Sequence, residues 1–142
     1  MRDEVRAEMD RAQKSLRAAR LLCDEGLLED AISRSYYAAL HAAKAALLVD
    51  GIVAESQAAV RRLFGKVLVL PGRLEREWAA VIANEQDQRV MADYDAQAEW
   101  EPEAARGLVG SAQAFVDRIR KYLETGGGST AGADDAEGVG SR

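Results

Sequence analysis

At 142 residues, with a formal net charge of −5, one cysteine and one histidine, the chain is sized for one domain that buries roughly two-thirds of its unfolded surface. The single cysteine and single histidine exclude an internal disulfide and leave no Cys/His set for zinc, so neither a metal nor a cofactor is expected. Asp134, Asp135 and Glu137 against Arg142 put −2 of the charge in the C-terminal tail, and the −3 that remains argues against nonspecific coating of duplex DNA, which depends on phosphate neutralisation.

The N-terminus, MRDEVRAEMDRAQKS, alternates charges and carries no apolar stretch of the kind that directs secretion. The one long apolar run, Ala42 to Val49, is interrupted by Lys44 and falls far short of the roughly 20 residues that a membrane span requires. A cytoplasmic protein without a membrane segment is therefore expected. A first helix is predicted from about Asp3 to Glu25, because Val5, Met9, Ala12, Leu16, Ala19 and Cys23 recur at four- and three-residue steps. Cys23 on that stripe reads as a buried structural thiol, and Gly26 supplies the stop.

The second helix is predicted from about Leu28 to Asp50, ended by Gly51. At 100° per residue, Ile32, Tyr36, Ala39, Ala43 and Ala46 fall in one narrow sector, a core face. Opposite them lie Arg34, Tyr37, His41, Lys44 and Leu48, with Arg34 and His41 two turns apart and nearly eclipsed. The flanks are Ala and Leu, so this helix is apolar almost all round and belongs in the middle of a bundle or at a subunit interface. Two readings of the polar line are open. Arg34 can be salt-bridged and His41 hydrogen-bonded within the fold, since an unpaired buried charge is very costly. Alternatively the guanidinium holds phosphate oxygens bidentately while the imidazole exchanges protons near neutral pH.

Ser56 is placed to cap a third helix reaching about Val67. Val67 to Leu70 looks like a strand but ends at Pro71-Gly72 and has no partner. A fourth helix is predicted from about Gly72 or Arg73 toward Asn84 and on to Tyr94. A fifth opens at Glu101-Pro102-Glu103 and carries the stripe Leu108, Ala112, Phe115, Ile119 and Tyr122. The fold class is all-α, an antiparallel bundle of four to five helices over residues 1–125. Residues 126–142, Gly-rich and acidic, hold too little apolar surface to order and are expected to be disordered. Arg61, Arg62, Lys66, Arg73 and Arg76 form the strongest basic patch, readable as a solvated face or as a track for an RNA backbone.

The second helix, LEDAISRSYYAALHAAKAALL, resembles that of the HEPN domains (higher eukaryotes and prokaryotes nucleotide-binding), and most of all the small stand-alone prokaryotic members. The resemblance extends to RAARLLCDEGLLEDA with its glycine break, Gly51-Ile52, RRLFGK at 61–66, RVMADYD at 89–95 and AQAFVDRIRKYLE near the end, about residues 4 to 124. It implies a helical bundle that pairs into a homodimer, with Arg-x4-6-His elements facing a shared cleft that in many members is a metal-independent ribonuclease site. On this chain Arg34 would hold the scissile phosphate, and His41 would assist proton transfer as the ribose 2′-hydroxyl attacks and leaves a cyclic phosphate. Ser35 stands where active members often place Asn or Asp, while Arg89, Asp93 and Tyr94 match an RxxADY element that can orient the pair from a second layer. Tyr37 and Lys44, on the same line as Arg34 and His41, are the further candidates for RNA or nucleotide contacts. Members of this kind also act as toxins restrained by a minimal nucleotidyltransferase antitoxin. The alternative implied is a noncatalytic module that binds nucleotides or such a partner.

Overall fold

A computed structural model describes residues 1–126. The expected disordered tail lies outside the described residues, apart from Gly126 at its start. Five α-helices follow one another: α1 (Asp3–Asp24), α2 (Leu28–Val49), α3 (Gln57–Leu63), α4 (Glu77–Tyr94) and α5 (Pro102–Glu124), with no strand among the described residues. No helix among them is long and apolar enough to cross a membrane.

The first two helices end as their glycines dictate. Gly26 and Gly51 take φ of 79° and 75°, a left-handed conformation that costs glycine little because it has no Cβ. After α2, Ile52 N–H returns to the Leu47 carbonyl at 3.1 Å and Gly51 N–H to that of Leu48 at 2.9 Å, the paired bonds that close a helix C-terminus. The chain therefore reverses sharply, and α1 and α2 lie against each other as an antiparallel pair.

The middle of the bundle is α2, which packs on α1, α4 and α5. Its predicted core face is fully inside, and so are Ala31, Ala38, Ala42, Ala45 and Leu47 on the flanks. Alanine on so many sides lets three helices approach at once. The larger side chains gather on either hand: Phe64 and Phe115 have ring centroids 5.3 Å apart, and Trp78 meets Phe115 edge-on at 6.1 Å. A smaller apolar cluster at one end joins Ile32, Ala105 and Leu108 to Cys23, Leu28, Ala92 and Trp100. Cys23 is half-buried there rather than sealed in the core.

Two local expectations are corrected between α2 and α4. The third helix does not run to Val67 as a plain α-helix: after Leu63 it widens into a π-helical segment, Phe64–Val69, in which Leu70 N–H reaches the Gly65 carbonyl at 2.8 Å. Phe64 and Leu68, four residues apart and on one face of it, both point into the core. The fourth helix begins at Glu77, four residues later than Arg73. The segment before it is occupied by a turn through Pro71 and Gly72, and Leu74, bonded through its N–H to the Leu68 carbonyl, plugs the core from there. Ser56 caps α3 as expected, accepting from Ala59 N–H at 3.0 Å.

Candidate functional site

The outward line of α2 forms the floor of an open face, walled by α1 on one side and by α3 and α4 on the other. Arg34 is exposed and makes no hydrogen bond or ion pair with any described residue. His41, half-buried, is not free: its Nδ1 lies 2.7 Å from Glu8 Oε1 on α1. The second carboxylate oxygen of Glu8 sits 3.8 Å from Lys44 Nζ. The two members of the pair thus divide between the two readings open from the sequence: the imidazole is anchored and the guanidinium is left to solvent.

An ionised carboxylate can only accept, so His41 Nδ1 is the donor to Glu8, and in the neutral form of the ring Nε2 keeps its lone pair. Along the helix, Arg34 and His41 are separated by roughly 10 Å at 1.5 Å per residue.

The opposite wall is a network around Arg89. This residue is only 8% exposed, with its guanidinium carbon 5.1 Å above the Tyr36 ring and 5.8 Å from that of Tyr37. It donates to Asp93 Oδ2 at 3.3 Å, the pairing expected four residues apart, and to Gln57 Oε1 at 2.7 Å. Asp93 in turn accepts a hydrogen bond from the Ser33 hydroxyl. The RxxADY element is therefore tied to the residue just before Arg34, while neither Arg89 nor Asp93 touches Arg34 or His41 themselves. Tyr94 is 77% exposed at the end of α4 and stands apart from this network.

Ser35 lies in the core instead of on the open face. It is fully buried, 2.7 Å from Glu85 Oε1 and 2.8 Å from the Leu108 carbonyl. No substrate reaches it in this chain, so any contribution to the site is through support of α2. Burial pushes the Glu85 carboxyl up to about 7, against the opposing pull of the Ser35 and Ser111 hydroxyls. A neutral Glu85 resolves the local bonding: its O–H donates to the Ser35 oxygen, and the Ser35 hydroxyl donates to Leu108.

Of the basic patch, Arg73 is bound by both its terminal nitrogens to Asp50, and Arg61 is bonded to Gln86 and lies 3.6 Å from Asp87. Arg62, Lys66 and Arg76 remain exposed, so the patch is thinner than its sequence. Residues not anticipated are Glu8, Ser33 and Gln57. Glu8 had a signal available: it lies as far before Gly26 as Lys44 lies after it, which puts the two opposite one another in an antiparallel pair.

Comparison with known proteins agrees with this architecture. The family model described as HEPN domain matches residues 5–122. A Methanocaldococcus jannaschii protein named "Putative toxin MJ0605" is 36% identical over 124 residues, covering 87% of this chain and 92% of its own. A second protein of that organism, "Putative toxin MJ0142", is 31% identical over 120 residues, 84% of this chain and 82% of its own. "UPF0332 protein glr0978" of Gloeobacter violaceus is 34% identical over 124 residues, 87% and 98%.

Proposed function

The chain belongs to the HEPN domain family, and from that premise we propose that it is a toxin-type, metal-independent endoribonuclease whose working groups are Arg34 and His41. The observation that carries this is the pairing of a solvent-facing guanidinium, without a partner among the described residues, with an imidazole whose Nδ1 is held by Glu8. The names of the Methanocaldococcus relatives support the toxin assignment.

Arg34 binds the scissile phosphate and offsets the negative charge that grows on its oxygens. His41 Nε2 takes the proton of the ribose 2′-hydroxyl. The hydroxyl oxygen bonds to phosphorus, the bond to the 5′-oxygen breaks, and the products are a 2′,3′-cyclic phosphate and a 5′-hydroxyl. Glu8 stabilises the imidazolium that forms, as a carboxylate behind a catalytic histidine does elsewhere. In a homodimer two such faces border one cleft, and the partner subunit's His41, in its protonated form, gives the proton that the departing 5′-oxygen needs, so that each turnover leaves one imidazole charged and the other neutral. A partner of the minimal nucleotidyltransferase type restrains the activity in the cell.

The test is cleavage of a fluorophore-labelled single-stranded RNA in EDTA by the purified protein. The wild type cleaves it, while Arg34→Ala and His41→Ala each lower the rate by at least a hundredfold without changing the helical circular dichroism. Cleavage that survives both substitutions refutes this site. Saturable nucleotide binding without any cleavage favours a noncatalytic binding module instead. A mass near 15.4 kDa by light scattering at micromolar concentration removes the dimer.

A further inference from the structure

The segment leading into α3 overhangs α2 beside an open recess of about 180 Å³. Its walls are Leu40 and Lys44 of α2, Ala54 and Glu55 of the loop, and Gln57 and Val60 of α3. Lys44 also borders a second hollow of about 140 Å³ under Glu8 and Leu48, and Leu40 and Lys44, which line the first recess, flank His41 along α2.

The chemistry of the recess is set by the orientation of one amide. Gln57 Oε1 accepts from the Tyr36 hydroxyl at 3.1 Å and from Arg89 Nη2 at 2.7 Å. The guanidinium fixes the orientation because it has no acceptor, and the Tyr36 hydroxyl, free to donate or accept, donates to the same oxygen. The oxygen of the amide is therefore fixed against α2 and α4, and its nitrogen is fixed on the other side. Gln57 Nε2 has no partner among the described residues and is not buried. A slot backed by Leu40 and Val60 and rimmed by the polar Glu55 and Ser56, with the N–H pair of Gln57 at one wall and the Lys44 ammonium, shared with Glu8, at its mouth, suits a flat ligand that carries a hydrogen-bond acceptor on its edge and a phosphate beside it.

Building on the ribonuclease assignment of the adjoining face, we propose that this recess selects the base next to the scissile phosphate, and that it takes a pyrimidine whose ring carbonyl accepts from Gln57 Nε2. The size supports one ring: a cavity of about 150 Å³ holds a single benzene. Leu40 and Val60 supply the apolar faces against which the ring lies, and Lys44 meets the phosphate that follows it. A purine places its second ring outside the walls and loses that contact.

Binding of uncleavable single-base oligomers tests this apart from catalysis. Oligomers of deoxyuridine and deoxycytidine bind the wild type at least tenfold tighter than those of deoxyadenosine in fluorescence anisotropy at fixed salt. Gln57→Glu keeps an oxygen for Tyr36 and Arg89 but replaces the N–H donors with a second oxygen, and it reduces that ratio to below twofold at an unchanged melting temperature. His41→Ala leaves the ratio as it is. Equal binding of all oligomers by the wild type, or a ratio that persists in Gln57→Glu, overturns the recess even where His41-dependent cleavage is found. Base-selective binding that collapses in Gln57→Glu upholds it even where no RNA is cut.

Discussion

Replacing Glu85 by glutamine should flatten the dependence of folding stability on pH between about 4.5 and 7. The carboxyl is buried between α2, α4 and α5, one of its oxygens has no hydrogen-bond partner among the described residues, and desolvation raises it from 4.5 to about 7. The folded state therefore keeps a proton that the unfolded chain releases. Stability is complete below about pH 4.5, falls as the pH rises through that window, and is level again above about 7. At about 1.4 kcal/mol for each pH unit of separation, the loss attributable to this one group is about 3 kcal/mol. A glutamine side chain is never charged, and its amide can donate to Ser35 as the neutral acid does. Urea unfolding followed by circular dichroism should show the Glu85→Gln variant matching the wild type near pH 4.5 and exceeding it by about 3 kcal/mol at pH 8. In melting temperature that is roughly 10 °C for a chain of this size. Stability curves that run parallel across this range would refute the assignment of a neutral, buried acid.

Two further expectations concern the core and the open face. Phe115→Ala removes a fully buried ring that touches both Phe64 and Trp78, and chemical denaturation should register a loss of about 3 to 5 kcal/mol; a loss under 1 kcal/mol would mean that this cluster collapses freely. Glu8→Gln keeps an acceptor for His41 but removes the charge behind it. RNA cleavage should fall roughly tenfold or more in kcat with KM little altered and stability within about 1 kcal/mol of the wild type, and an unchanged kcat would leave Glu8 a purely structural partner.

The helices and their ends were largely legible in the sequence because strong local signals agreed with the tertiary demand. Gly26 and Gly51 stop α1 and α2 through bonds that any chain can make at a left-handed residue, and Pro102 opens α5 where a missing N–H costs nothing. The stretch from Phe64 to Glu77 was not legible. Nothing in the local sequence marks the π-helical widening over Phe64–Val69, and the late start of α4 answers the need to insert Leu74, which is not a local preference. The line of Arg34, Tyr37, His41 and Lys44 followed from angular arithmetic alone. Its partners did not, since Glu8, Ser33 and Gln57 acquire meaning only when the helices are set side by side. Ser35 illustrates the limit: adjacent in sequence to Arg34, it lies about 100° further round the helix, which is the difference between solvent and the core.

The alanines that surround α2 also determine where this molecule is free to change. Ala31, Ala38, Ala39, Ala42, Ala43, Ala45 and Ala46 are all fully enclosed, and each added methylene in such a setting forces neighbouring helices apart at about 1 to 3 kcal/mol. The outward positions are less confined: Arg34 ends in solvent, while Tyr37 meets Arg89 and His41 and Lys44 meet Glu8 at the helix surface. Side chains of other sizes can therefore be accommodated along that line at less cost in folding, while the alanine flanks of the same helix are held to small residues. One element thus carries two kinds of position, and saturation mutagenesis scored separately for abundance and for growth arrest would sort them residue by residue.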